Sequence, residues 1–153
     1  MVQVTNNFLN NNYLEDLTKA LSLESLNWNF MNYQFFLDEL NGKIICHTLV
    51  CKNFKDFFNF NFMEDALDKK IKNVRVYLVT KSRKQIVLPT DKNNTDKFIL
   101  SINTNNGFFN VENTGQIPCE ENKLIYLPKG CHFSNSSCTD KDYKAYLEID
   151  IQE

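Results

Sequence analysis

An α+β fold is predicted by where two kinds of pattern fall along the chain. Helical spacing is confined to the first half, and from Val74 onward short extended segments follow one another with turn residues between them. A third observation concerns structure breakers. Only 4 Gly and 3 Pro occur among 153 residues, against 13 Phe, which leaves little material for linkers or disordered tails. The length is that of one domain with a sizeable core, so residues 1–153 are read as a single unit.

The first helix is expected in "NNNYLEDLTKALSLE". Leu14, Leu17 and Leu21 recur at helical spacing, Asn11 or Asn12 can cap the start, and acidic residues follow in the first turn. A second helix is expected near "FMEDALDKKI", with Lys69, Lys70 and Lys72 at its end. Between them, Asn41-Gly42 separates two strand candidates as a tight-turn dipeptide. The stretch "VCKNFKDFFNFNFM", with Phe58, Phe60 and Phe62, reads as an extended or irregular segment packed in the core. The strands that follow are "NVRVYLVT", "KQIVLP", "KFILSIN", "GFFNVEN", "KLIYLP" and "KAYLEIDI", with a hairpin-type signal at Thr104-Asn105-Asn106-Gly107. Many short strands at close spacing predict an antiparallel sandwich or jelly roll behind the helices.

Composition narrows the function. A formal net charge of -2, with both signs interspersed, gives no basic surface for nucleic acid. No apolar run approaches the ~18–20 residues of a membrane helix, and "MVQVTNNFLNNNY" lacks the basic and apolar regions of a signal peptide. The 5 Cys are therefore expected as thiols, and Cys131 and Cys138 as small buried apolar groups. Spacings such as Cys46–Cys51 and Cys131–Cys138 are not those of zinc motifs. There is no nucleophile elbow, phosphate loop or His-Glu-x-x-His.

Several stretches carry a family resemblance: Asn103 to Gly107 after a strand, Glu121-Asn122-Lys123 opening the next, Cys138-Thr139-Asp140, "NNFLNNNYLEDL", "NWNF" and "ICHTLV". Together they resemble the Fe(II)/2-oxoglutarate-dependent dioxygenases of the prolyl-hydroxylase-like type. More narrowly, they resemble the small versions in marine cyanobacterial phage genomes. Pro128-Lys129-Gly130 is similar to cupins. The resemblance covers most of the chain. It implies N-terminal helices packed on an antiparallel double-stranded β-helix, a cupin-like jelly roll.

The resemblance also implies a site. Such an oxygenase holds Fe(II) with two His and one carboxylate, leaving positions open for 2-oxoglutarate and O₂. A basic residue, usually Arg, pairs with the cosubstrate's far carboxylate. In "IVLPTDKNNTDKF", Asp91 matches the carboxylate, Pro89 falls where the first His belongs, and the spacing of Asp96 does not fit. Counting back from Cys138-Thr139-Asp140 puts the distal His position at Phe133, with His132 one residue away. Side chains alternate along a strand, so His132 turns inward only through a β-bulge at Cys131. The basic position becomes Lys144 or Tyr143. Asp91 is thus an iron ligand or a turn-forming loop Asp, and His132 a ligand or a surface histidine. Lys144 holds cosubstrate or is an exposed strand lysine. His47 reads as a structural histidine, and Phe109, Phe133 and Trp28 read as core, with Phe133 able to fill the vacated pocket.

The expectation is a catalytically inactive jelly roll that needs no cofactor. It would bind protein partners or copies of itself, as a phage virion structural or accessory protein in the particle or the host cytoplasm. The alternative is an Fe(II)/2-oxoglutarate hydroxylase with a two-ligand site built from Asp91 and His132, with Lys144 on the cosubstrate. A metal-free binder of a small ligand in the old pocket is the third possibility.

Overall fold

The structure, a computed structural model, describes residues 1–21, 29–31 and 46–153. The expected turn at Asn41-Gly42, its two flanking strands and Trp28 fall largely or wholly outside the described residues. In chain order the elements are β1 (Gln3–Thr5), α1 (Asn11–Leu21), β2 (Asn29–Met31), β3 (Thr48–Cys51) and a 3-10 turn (Phe54–Asp56). Then come α2 (Asn61–Leu67), β4 (Ile71–Thr80), β5 (Asp91–Lys92), β6 (Lys97–Ser101), β7 (Phe108–Val111) and β8 (Gly115–Pro118). The chain closes with β9 (Leu124–Leu127), β10 (His132–Asn135) and β11 (Tyr143–Ile151). Among the described residues, no helix is long and apolar enough to cross a membrane.

The strands form two antiparallel sheets. One has the order β1-β9-β6-β11-β4-β3-β2, the other β5-β10-β7-β8. Facing antiparallel sheets connected in this way make a jelly roll, and helices packed on the larger sheet complete the α+β architecture. Alternation divides the core into two layers. From β4, β6 and β11, Val74, Val76, Leu100, Leu147 and Ile149 point to the helical side and meet Leu17, Ala20, Phe54, Phe60 and Met63. The opposite faces contribute Val79, Ile99 and Tyr146, which meet Phe109, Val111, Ile117 and Phe133 of the smaller sheet. β11 is covered on both sides, which is why almost every residue in it is buried.

Several local expectations shift. α1 starts at Asn11 because Asn10 is its cap, with Asn10 Oδ1 accepting the Tyr13 N–H at 2.9 Å. Glu15 and Asp16 therefore fall beyond the first turn, where Glu15 pairs with Lys19. α2 ends at Leu67 with Asp68 in the left-handed region, so Lys69 and Lys70 lie past the helix and Lys72 lies in β4. The Phe-rich stretch is a 3-10 turn followed by the start of α2. Phe54 and Phe60 are buried there, whereas Phe62 is exposed. "KQIVLP" forms only the bridge Val87–Ser136, not a strand. The hairpin signal at Thr104–Gly107 instead carries the chain from β6 in one sheet to β7 in the other. Side chains redirect it. Asn103 is tied to β11 through the Tyr143 carbonyl and the Ala145 N–H, and Asn105 Oδ1 accepts the Gly107 N–H at 2.8 Å.

The N-terminal strand is fastened from far along the chain. Asn122 adopts φ 66°, a conformation Asn tolerates. Its side chain accepts the Leu9 N–H and donates to the Leu9 carbonyl, both at 2.8 Å. Replacing Asn122 by Ala leaves two buried backbone groups unpaired, at about 1–3 kcal/mol each. The predicted loss is ~2–6 kcal/mol of unfolding free energy in a urea titration. A variant within 0.5 kcal/mol of the native chain would show the clamp to be dispensable.

Candidate functional site

A cavity of about 90 Å³ lies between the sheets. The larger sheet contributes Thr48 from β3, Tyr77 from β4, and Tyr146 and Glu148 from β11. The segment before β5 adds Leu88 and Pro89, and β5 adds Asp91. From β10 come Phe133 and Asn135. A groove beside it shares Tyr77, Asp91, Phe133 and Glu148 and adds Arg75, Lys97 and Asp150.

Strand register decides which candidate residues meet there. Phe133 pairs with Asp91 and His132 pairs with Lys92. Directly opposed residues share a face, so Asp91 and Phe133 face the cavity while His132 faces outward. Phe133–Ser134–Asn135 pair with β7 in unbroken register, and His132 and Phe133 pair in step with β5. The ring of His132 is half exposed and its Nδ1 lies 3.1 Å from Glu112 Oε2. The same carboxylate oxygen accepts the His132 backbone N–H, and these hydrogen bonds hold the Glu112 carboxyl below its ordinary range. Thr48 lines the cavity, whereas the preceding His47 is only half-buried. His47 is anchored by its backbone, with its N–H on Thr80 Oγ1 and its carbonyl accepting the Thr80 N–H. Asp96 caps the 128–131 turn through the Lys129 N–H.

Asp91 makes no turn of its own. Among the described residues its carboxylate has no hydrogen-bond or ion-pair partner, and it lines both the cavity and the groove.

Lys144 is neither exposed nor in the cavity. It is fully buried, and its Nζ donates to the carbonyls of Phe108 at 2.9 Å and Ser136 at 3.0 Å. The ammonium also lies 4.0 Å from the centre of the Phe109 ring. Burial lowers its pKa to about 8, and contacts with Cys119 and Cys138 oppose the drop. Gly107 makes this course possible, because a Cβ there would come within 3.2 Å of Lys144 Cδ and 2.7 Å of Asn105 Oδ1. Tyr143, the other candidate for the basic position, is half exposed on the opposite face. Of the two cysteines expected to be buried, Cys138 is and Cys131 is partly exposed.

The groove contains a charged cluster that motif reading missed. Lys97 Nζ makes a short contact with Glu148 Oε1 and lies 3.8 Å from Asp150. Arg75 bonds Glu148 at 3.3 Å and Asp150 at 2.9 Å. Glu148 and Lys97 are each less than a tenth exposed. Tyr77 stacks on Tyr146 with ring centres 5.1 Å apart. Burial first, then Glu148, raise the pKa of both tyrosines, so both stay protonated. Alternation in "VRVYL", "KFI" and "YLEID" carried this signal, since Arg75, Lys97, Glu148 and Asp150 share one face of three neighbouring strands.

No family model matches the chain, and no curated protein matches its sequence. Solved structures do share its fold. A 2OG-Fe(II) oxygenase-family oxidoreductase from Burkholderia pseudomallei aligns at 7% identity with a TM-score of 0.66, covering 99% of this chain and 84% of that one. SnoN, a non-heme α-ketoglutarate-dependent epimerase from nogalamycin biosynthesis, aligns at 8% and 0.66, covering 99% and 77%. The ribosomal oxygenase YcfD from Escherichia coli aligns at 10% and 0.63. This chain covers 48% of YcfD and so spans about half its length. At these identities the likeness establishes the oxygenase-type jelly roll and nothing finer.

That fold implies iron and 2-oxoglutarate, and the side chains present do not fit them. A facial-triad site needs two imidazoles beside its carboxylate. The cavity wall has Asp91 and Glu148 but no imidazole, and Glu148 is engaged by Lys97 and Arg75. Among the described residues, no three His, Cys, Asp or Glu side chains converge as metal ligands. Arg75 and Lys97 are committed to carboxylates, and Lys144 is walled off by its carbonyl partners.

Two predictions follow from the buried charges. Glu148→Leu alone leaves Lys97 in the groove with only the 3.8 Å contact to Asp150, which Arg75 already engages, and is expected to cost ~3–5 kcal/mol. In the Lys97→Met/Glu148→Leu double variant, Arg75 keeps Asp150 and most of that loss returns. A double-mutant cycle by chemical denaturation reads the coupling, and additive losses would dissolve the cluster as a unit. For Lys144 the depressed pKa means that the unfolded chain binds more protons between about 8 and the ordinary 10.5. The native state therefore gains relative stability as pH rises through that window. Measured against Lys144→Met, the gain is about 3 kcal/mol at ~1.4 kcal/mol per pKa unit. A stability difference that stays flat from pH 7.5 to 10.5 contradicts this.

Proposed function

We propose that this chain is a metal-independent, catalytically inactive jelly roll of the 2-oxoglutarate-oxygenase shape, and that it acts by binding or assembly. One observation carries the proposal. Pro89, Asp91 and Phe133, the positions matching the three iron ligands, line one cavity, and only Asp91 has a ligating side chain. An apolar ring in place of an imidazole removes a donor and lowers the polarity of the wall. His132 supports the same reading, because its strand aims it at Glu112 on the outer face.

The finer role is a phage virion structural or accessory protein, working with protein partners or with further copies of itself. The motive for this role is the sequence resemblance of Asn103–Gly107, Glu121-Asn122-Lys123 and Cys138-Thr139-Asp140 to small phage-encoded oxygenase-like proteins. A chain that remains monomeric by light scattering and is absent from purified particles would remove it.

The decisive test is anaerobic calorimetry with Mn(II) and 2-oxoglutarate. The native chain is expected to show no mutually dependent binding at millimolar ligand. The Pro89→His/Phe133→His variant restores two imidazoles beside Asp91 and is expected to gain Mn(II) binding that a further Asp91→Ala removes. Coupled metal and cosubstrate binding by the native chain, lost in Asp91→Ala or His132→Ala, would overturn the proposal.

A further inference from the structure

We infer that the cavity is a binding site for a compact primary ammonium, such as the head of an alkylamine or a lysine side chain. The inference rests on the metal-independent reading above and names the ligand class of the same cavity. Three observations support it.

The first is the supply of acceptors. Thr48 is 4% exposed, and its Oγ1 has no hydrogen-bond partner. Asn135 Oδ1 is likewise buried without a partner, while its Nδ2 donates to the Tyr146 hydroxyl at 3.4 Å. Both residues line the cavity, and buried polar atoms left unpaired are costly enough to imply an occupant. With the Asp91 carboxylate, they offer three acceptors on one wall system, and an ammonium carries three donors.

The second is charge. Among the described residues, the cavity lining contains Asp91 and Glu148 and no cationic side chain. Glu148 is already matched by Lys97 and Arg75, which leaves Asp91 as the uncompensated charge among the described lining residues. The field therefore favours a cation of charge one over an anion such as a dicarboxylate.

The third is the aromatic wall. Tyr77, Tyr146 and Phe133 present rings to the same space, and ring faces attract organic cations. The groove shows the principle at work, since Lys97 Nζ lies 5.5 Å from the centre of the Phe133 ring. A hard divalent ion is a poorer match. It asks for six or more oxygens, and here one carboxylate is free. The volume of about 90 Å³ suits a small head group and not a bulky ligand.

The test is binding of n-butylammonium to the EDTA-treated native chain by calorimetry and by NMR line shifts. Size-matched n-butanol and butyrate, and Mg(II), are run beside it. Saturable binding of the amine is expected, with butanol and butyrate at least tenfold weaker. Asp91→Asn should weaken amine binding tenfold or more. Because Asp91 is exposed and unpartnered, the melting temperature of that variant should be unchanged. Thr48→Val is a second variant that removes an acceptor at constant shape. Equal binding of butanol, tighter binding of butyrate or Mg(II), no saturable binding of the amine, or an Asp91→Asn variant that binds as well as the native chain would each overturn the inference. If the amine fails to bind and Mn(II) with 2-oxoglutarate also fails, only this inference falls. Coupled metal and cosubstrate binding would instead remove the reading beneath it.

Discussion

The contact between Lys97 and Glu148 is the constraint around which the inter-sheet space is arranged. β11 is buried on both faces, and its Glu148 sits nearly buried on the wall shared by the cavity and the groove. A carboxylate there is tolerable only with cations beside it. β6 and β4, the two neighbours of β11, supply one each, in Lys97 and Arg75. Asp150, one alternation further along β11, completes the balance. Beside these charges the Tyr77 ring stacks on Tyr146. The rest of the layer, from Val79 to Ile125, is then free to be apolar.

This arrangement explains how one fold accommodates different chemistry. The outer layer of Leu17, Phe54, Leu147 and their neighbours holds the helices to the large sheet and does not touch the cavity. A shared jelly roll at 7–10% identity therefore says little about what the cavity contains. Function has to be argued from the few inward positions of β3, β4, β5, β10 and β11.

Much of the fold was legible because it rests on period. The helix at Asn11–Leu21 and the strands at Ile71–Thr80, Lys97–Ser101 and Tyr143–Ile151 follow directly from spacing. The turn at Thr104–Gly107 was visible as a turn, but its destination was not. Whether a turn closes a hairpin or crosses between sheets depends on Asn103 bonding to β11, forty residues away. "KQIVLP" looked like a strand because its composition is that of one, yet it pairs through a single bridge. The opposite orientations of His132 and Phe133 were readable from alternation, given a strand there. Lys144 was not. Nothing local marks a lysine as buried, because its partners are two carbonyls and a ring brought together by β7, β10 and β11. Arg75, Lys97 and Glu148 escaped for a related reason. Charged residues alternating with apolar ones ordinarily mark a solvated face, and only a second sheet lying over them reverses that meaning.

The clamp between Asn122 and Leu9 also bears on the order in which the molecule is built. Among the described strands β1 pairs with β9 alone, and Asn122 is separated from Leu9 by 113 residues. During synthesis the first strand emerges long before its partner exists. It waits with its backbone groups open while most of the two sheets are made. Closing so large a loop is slow because the entropy is spent before any contact repays it. The edge that β9 offers is therefore among the last to be covered, and until then it is open to pairing with a neighbouring nascent chain.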